Sequence, residues 1–216
     1  MSSVGETSRL IARGGGYSYA PAAIANDALH VDMRDWRHIV GFDRSTGRIM
    51  VEGGVTLGDI HRVATPEGWH VPAQPGYPLI TVGGCIAGDV HGKNQHRVGN
   101  FRHCVRSIQL WHPVHGVLGL EPGDDLFDLT AGGLGLTGVI QQAELQLDRL
   151  PSTSVLVKSI PIANARDTVR ALDAETESLF SYTCQNFTRR RHTGRGVAWA
   201  ARFAEGSLRD AVADSR

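Results

Sequence analysis

The stretch from Pro75 to Cys104, PGYPLITVGGCIAGDVHGKNQHRVGNFRHC, limits the folds open to this chain more than any other feature. Glycines at 76, 83, 84, 88, 92 and 99 stand among small or β-branched residues, and His91, Lys93, Asn94 and His96 are set between the last of them. Glycine at this density lets backbone turn sharply and lie close against another group. The polar run supplies donors and a titratable imidazole. Such a stretch suits a wall against a large ligand, with a reactive edge beside it.

Two more glycine-rich loops accompany it. Gly14-Gly15-Gly16 follows a strand-like run and precedes Ser18. Successive backbone N–H groups in such a loop form a concavity for an anion. The loop is neither a Walker P-loop nor a dinucleotide fingerprint opening a helix, and on its own a plain turn explains it. Gly132-Gly133-x-Gly135-x-x-Gly138 reads on its own as a helix-to-strand turn. Three such loops separated by strands and short helices argue for one long ligand touching all of them. A phosphate-bearing dinucleotide with a flat ring system meets that demand.

The rest of the pattern is α+β. Strands are predicted at Arg9–Ala12 and Leu29–Met33, then a hairpin from His38–Phe42 and Arg48–Glu52 around a turn ending in Gly47. Thr56 is a good N-cap for a helix with Leu57, Ile60, Val63 and Ala64 on one face, stopped by Pro66 and Gly68. A second hairpin runs Val105–Trp111 and Val117–Leu120, followed by a short helix at Asp124–Leu129 and a strand at Val139–Leu147. Leu150-Pro151-Ser152-Thr153 breaks the pattern and divides the chain into residues 1–150 and 151–216. Beyond it come a strand at Val155–Ile162, a helix capped by Asn164 with Val169 and Leu172 inward, and strands at Leu179–Phe187 and Gly196–Phe203. Strand, helix, strand, strand opens a second α+β unit.

Charge and cysteine narrow the function class. Lys+Arg and Asp+Glu are both 22, so there is no electrostatic footprint for nucleic acid or an anionic membrane. The one basic knot, Arg189-Arg190-Arg191-His192 with Arg195, reads as a solvated loop or strand edge rather than a phosphate patch. Cys85, Cys104 and Cys184 lie far apart, which fits free thiols in a reducing compartment, and no metal cluster emerges. The first ten residues lack the charged and apolar regions of a signal peptide, and no apolar run is long enough for a transmembrane segment. A cytoplasmic location is the default expectation.

At ARGGGYSY (Ala12–Tyr19), ITVGG (Ile80–Gly84), GDVHGKNQH (Gly88–His96), GNFRHCVRS (Gly99–Ser107) and GGLGLTGVI (Gly132–Ile140) the chain resembles the PCMH-type FAD-binding domain of the vanillyl-alcohol oxidase/p-cresol methylhydroxylase superfamily. Within it, the likeness is greatest to the decaprenylphosphoryl-β-D-ribose oxidase subfamily. The motifs occur in order over roughly Arg9 to Leu150. The resemblance implies an α+β domain of two subdomains with FAD between them, followed by the start of a substrate-capping domain, and a chain truncated at both ends. It implies that Arg13, Gly14, Gly15, Gly16, Tyr17 and Ser18 hold the pyrophosphate, and that Pro75, Gly76, Thr81, Val82, Gly83 and Gly84 line the ADP and flavin. Gly88, Asp89, His91 and Gly92 would border the isoalloxazine, and Ile140 would pack near the adenine. His91, Lys93 and Tyr19 would face the substrate. Covalent members carry a histidine in the first loop; Tyr17 occupies that position and implies noncovalent FAD.

The function so implied is removal of hydride from a secondary alcohol of a sugar, of the lipid-linked pentose kind, with a reductase partner if the overall reaction is an epimerisation. A noncatalytic FAD-binding fragment or one half of a split oxidase is the second reading, and aldonolactone or alditol oxidation the third. Bland roles compete at single positions. Asp89 suits a loop staple as well as a base, Tyr19 a core position with its hydroxyl bonded, and Lys93 a solvated surface. His96, His103, His112 and His115 read as surface or strand histidines, Cys85 and Cys104 as small buried hydrophobes, and Trp36, Trp69 and Trp111 as packing residues.

Overall fold

The computed structural model describes residues 9–19, 21–188 and 193–204, so the basic knot Arg189–His192 lies outside the described residues. The fold is α+β, in two compact units. One comprises residues up to 90 and 100–149; the other comprises 91–99 and the chain from 150 onward.

In chain order the elements begin β1 (Arg9–Arg13), β2 (Ala28–Asp32), β3 (Ile39–Asp43), β4 (Arg48–Glu52), α1 (Leu57–Ala64), β5 (Trp69–His70) and α2 (Val82–Ala87). There follow α3 (Gln95–Val98), β6 (Val105–His112), β7 (Gly116–Leu120), α4 (Asp125–Thr130), β8 (Val139–Gln146) and β9 (Asp148–Arg149). The chain continues with β10 (Val155–Ile162), α5 (Ala165–Asp173), β11 (Phe180–Asn186) and β12 (Arg195–Phe203).

The first unit is built on an antiparallel sheet of five strands in the order β3-β4-β8-β6-β7. β1 and β2 form a separate parallel pair, and β5 pairs with β9. The β3–β4 hairpin closes where Gly47 adopts φ +74 and Asp43 takes hydrogen bonds from the Ser45 and Thr46 hydroxyls, each at 2.6 Å. Ile49, Val51, Ile60, Ile86, Leu110, Ala143 and Leu145 are wholly buried. Each such large aliphatic residue contributes about 1.5–3 kcal/mol of transfer free energy.

β8 departs from simple alternation. Gln109 faces Gln142 but the next β6 residue, Leu110, faces Ile140, so Gln141 is the extra residue of a bulge. Val139 and Ile140 are consequently both buried, and the Gln141 carbonyl accepts from Gly53 N–H at 2.8 Å.

α1 starts at a full capping box. The Thr56 hydroxyl accepts from Asp59 N–H at 3.1 Å, and the Asp59 carboxylate accepts from Thr56 N–H at 3.2 Å. Leu57, Ile60 and Ala64 face inward, whereas Val63, expected beside them, is at the edge and 38% exposed.

The second unit is an antiparallel sheet in the order β10-β12-β11 with α5 packed on it and the 91–99 segment attached. Asn164 caps α5 by accepting from Arg166 and Asp167 N–H at 2.9 and 3.1 Å. Val169 does not point inward as the spacing suggested; it is 59% exposed, and Ala171 and Leu172 carry the contact face instead.

Candidate functional site

The three glycine-rich loops of the first unit meet at one short helix, α2. The segment before it is stapled to the start of α1 by backbone. Leu57 N–H donates to Ile80 O at 3.1 Å and Gly58 N–H to Pro78 O at 2.7 Å. In return, Val82 N–H donates to Val55 O and Gly83 N–H to Gly53 O, both at 2.8 Å. The first amides of α1 and α2 are therefore all satisfied, and Thr81 caps Gly84 at 3.3 Å. The loop at 132–138 is held against the other end of α2, where Gly132 N–H donates to Ile86 O at 3.1 Å and Leu134 N–H to Ala87 O at 2.8 Å. The loop after β1 packs on the α2 cap itself: a Cβ on Gly14 would overlap the Thr81 hydroxyl.

That first loop leaves its amides open. Among the described residues, the N–H groups of Gly14 through Ser18 have no protein acceptor, and Gly15 through Ser18 are exposed. Gly16 turns the loop with φ +74, and the Arg13 guanidinium lies beside it, 2.9 Å from where a Cβ would stand. A row of unpaired N–H groups with a guanidinium alongside is a receptor for a doubly charged phosphate group. Tyr17 and Tyr77, one from each neighbouring loop, meet edge to face with centroids 4.6 Å apart.

Residues 6–118 match the family model described as FAD binding domain, more than half of the chain. The chain belongs to that FAD binding domain family. Among its relatives is the decaprenylphosphoryl-beta-D-ribose oxidase of Mycolicibacterium smegmatis, 34% identical over 81% of this chain and 38% of that protein. The D-lactate dehydrogenase of Anaerostipes hadrus is 27% identical over 64% of this chain and 30% of its own length. The L-gulono-1,4-lactone dehydrogenase of Mycobacterium tuberculosis is 29% identical over 64% of this chain and 32% of its own. The chain thus spans under two fifths of the length of these relatives. The cofactor of this FAD binding domain is FAD, and the open amides and Arg13 fit its pyrophosphate.

The domain sorts the residues singled out from sequence into two groups. Gly15, Gly16, Tyr17, Ser18, Gly76, Gly84 and Gly88 are exposed, with Arg13, Gly14, Pro75 and Gly83 half-buried beside them. Thr81, Val82 and Ile140 are shut off from solvent. These last three back the cradle rather than face it, because α2 and β8 turn those side chains into the core.

Asp89 is a loop staple. Its residue adopts φ +38, uncommon for a side chain with a Cβ. One carboxylate oxygen accepts from Arg102 N–H at 3.1 Å; the other accepts from Arg102 Nε at 2.7 Å and Asn100 Nδ2 at 3.1 Å. Burial alone would raise this carboxyl, but the hydrogen bonds from Asn100 and Arg102 outweigh it and hold it below the ordinary value. Arg102 also donates to Ala131 O, one residue before the third glycine loop. Sequence reading passed over Arg102 within its motif; the signal was a guanidinium thirteen residues beyond a carboxylate in a glycine-rich bend.

His91, Gly92 and Lys93 lie in the second unit. His91 is exposed, with Nδ1 3.3 Å from Gly92 O, and Gly92 is buried. Lys93 is exposed, and its Nζ sits 3.7 Å from the centre of the Tyr182 ring, which stacks on Trp199 at 5.2 Å. The Lys93 carbonyl accepts from Ser181 N–H at 3.3 Å, while His96 and Arg97 bond the Ser178 and Glu177 carbonyls. Tyr182, the ring under Lys93, was not singled out from the sequence. Tyr19 is fully exposed, which excludes the core position considered for it. Burial pushes the Cys85 thiol up and the Cys104 thiol up to about 12, so both are inert. Among the described residues, no three metal-ligating side chains cluster, and no helix is long and apolar enough to cross a membrane.

Proposed function

We propose that this chain is the cofactor-binding part of an FAD-linked oxidoreductase that takes hydride from a secondary alcohol of a sugar, of the lipid-linked pentose kind. The observation that carries the reading is the convergence of three glycine-rich loops on α2, the first of them carrying an open row of amides. In this account Arg13 and the Gly14–Ser18 amides hold the pyrophosphate without a covalent link, since the Tyr17 phenol offers no imidazole. Pro75, Gly76, Gly83, Gly84 and Gly88 border the rest of the cofactor. FAD, when bound, supplies the two-electron acceptor for a hydride leaving carbon.

The chain's own groups handle the proton and the orientation. His91, which is exposed, takes the hydroxyl proton as a general base. Lys93, held on the Tyr182 ring, is a cation of restricted orientation for a substrate oxygen or phosphate. Tyr19 offers a free phenol as a further donor. The sugar class rests on the similarity to the mycobacterial oxidase, and an epimerisation would need a reductase partner.

Anaerobic mixing with candidate sugar alcohols tests this reading. Bound flavin is expected to bleach with a suitable donor, and His91→Ala to slow bleaching about 100-fold with FAD still bound. Flavin that stays yellow with every alcohol would leave cofactor binding without the oxidation. Unchanged bleaching in His91→Ala would remove His91 from the chemistry.

A further inference from the structure

Tyr17 and Tyr77 are two large side chains that no packing requirement explains. They are 46% and 44% exposed and stand on different loops. Each loop is already fixed by other means, the first by Gly14 against Thr81 and the second by its carbonyls on Leu57 and Gly58. The rings therefore hold chiefly each other, at 4.6 Å and 68° between planes. A hydrogen bond with Tyr77 raises the Tyr17 phenol above its ordinary value. The Tyr17 ring also folds back over its own loop, 2.6 Å from where a Cβ on Gly15 would stand. It thus lies close against Gly15, in the middle of the loop that carries the open amides.

We propose that Tyr17 and Tyr77 form an aromatic latch over the cofactor's phosphate loop, with Tyr77 a cofactor-retaining residue in its own right. The inference rests on the FAD reading above. A dinucleotide held on the Gly14–Ser18 amides enters and leaves past the Tyr17 ring, and the Tyr77 ring keeps that ring down. The pair does by contact what a covalent bond would otherwise do: it slows cofactor loss without taking part in binding the phosphates. Opening costs one edge-to-face contact and the phenol contact beside it.

Stopped-flow FAD fluorescence on the unaltered chain, Tyr77→Phe and Tyr77→Ala tests the latch. Tyr77→Ala is expected to speed FAD dissociation about tenfold, equivalent to about 1.4 kcal/mol, with association as fast as before or faster. Tyr77→Phe keeps the ring and loses the phenol contact, so dissociation should quicken only about threefold. An unchanged dissociation rate in Tyr77→Ala would overturn the latch, and so would weaker binding that comes only from slower association, the mark of a disordered loop. Failure of the unaltered chain to take up FAD at all would instead overturn the cofactor reading on which the latch depends.

Discussion

Replacing Gly54 with alanine is expected to cost the first unit about 3 kcal/mol or more, and FAD binding with it. The reason is steric and local. A Cβ at Gly54 would overlap the Met33 carbonyl oxygen and come within 2.5 Å of the Trp36 carbonyl oxygen. Both obstacles are backbone, so no rotamer change relieves them. Gly54 N–H is itself bonded to Trp36 O at 2.8 Å, which prevents the chain from backing away. Its neighbour Gly53 is as confined, with a Cβ there overlapping Ile140 O. Any shift at 53–54 passes directly to α2 through the Gly83-to-Gly53 hydrogen bond. Gly119→Ala is the control. It lies in β7 of the five-stranded sheet, and nothing stands within 4 Å of its Cβ position. Alanine should there be neutral or stabilising by about 0.5 kcal/mol. Urea unfolding of both variants checks the pair; equal losses would mean that the close approach at Gly54 is relieved by a movement the fold allows.

Arg102→Met should weaken both the fold and the cofactor site. The substitution keeps the length of the side chain and removes the guanidinium. The Asp89 side chain, 12% exposed, then keeps only the Arg102 amide and Asn100 as donors. The Ala131 carbonyl loses its donor as well, and with it one of the contacts that hold the third glycine loop. Loss of a charge-assisted contact that is partly screened costs about 2 kcal/mol. The pH dependence has a definite sign. The Asp89 carboxyl is held below its ordinary value in the folded chain, so its contribution is complete above the unfolded value and is lost as pH falls through the folded one. The stability gap between the unaltered chain and Arg102→Met should therefore be full at pH 7 and narrow below about pH 4 to the part that the Ala131 contact carries. A gap of the same size at pH 7 and at low pH would show that Arg102 acts without the Asp89 charge.

Much of the fold was legible because it follows local rules. The β3–β4 and β6–β7 hairpins are announced by alternating patterns around glycine-containing turns, and α1 by Thr56 and its apolar spacing. α2 was not legible as a helix, since Val82-Gly83-Gly84-Cys85 holds two poor helix formers. It forms because Thr81 caps it and Val55 and Gly53 carbonyls take its first amides, a tertiary arrangement with no local signature. Gly53 and Gly54 looked like an ordinary turn after a strand, because the carbonyls that demand glycine come from residues 33, 36 and 140. The site divides along the same line. The first loop stands open as its glycines suggested. The Thr81, Val82 and Ile140 side chains are buried, because a motif shows which residues keep company and not which way they face. The Lys93–Tyr182 contact joins residues 89 positions apart, and nothing in composition marks residues 91–99 as belonging with the second unit.

The measurement that tests the central claim most directly is the visible absorbance of the purified chain, titrated with FAD, before and after acid precipitation. A flavin spectrum that saturates at one FAD per chain and leaves entirely with the supernatant is expected. Colour retained in the pellet would contradict noncovalent binding at Tyr17. A chain that stays colourless at saturating FAD would contradict the cradle itself.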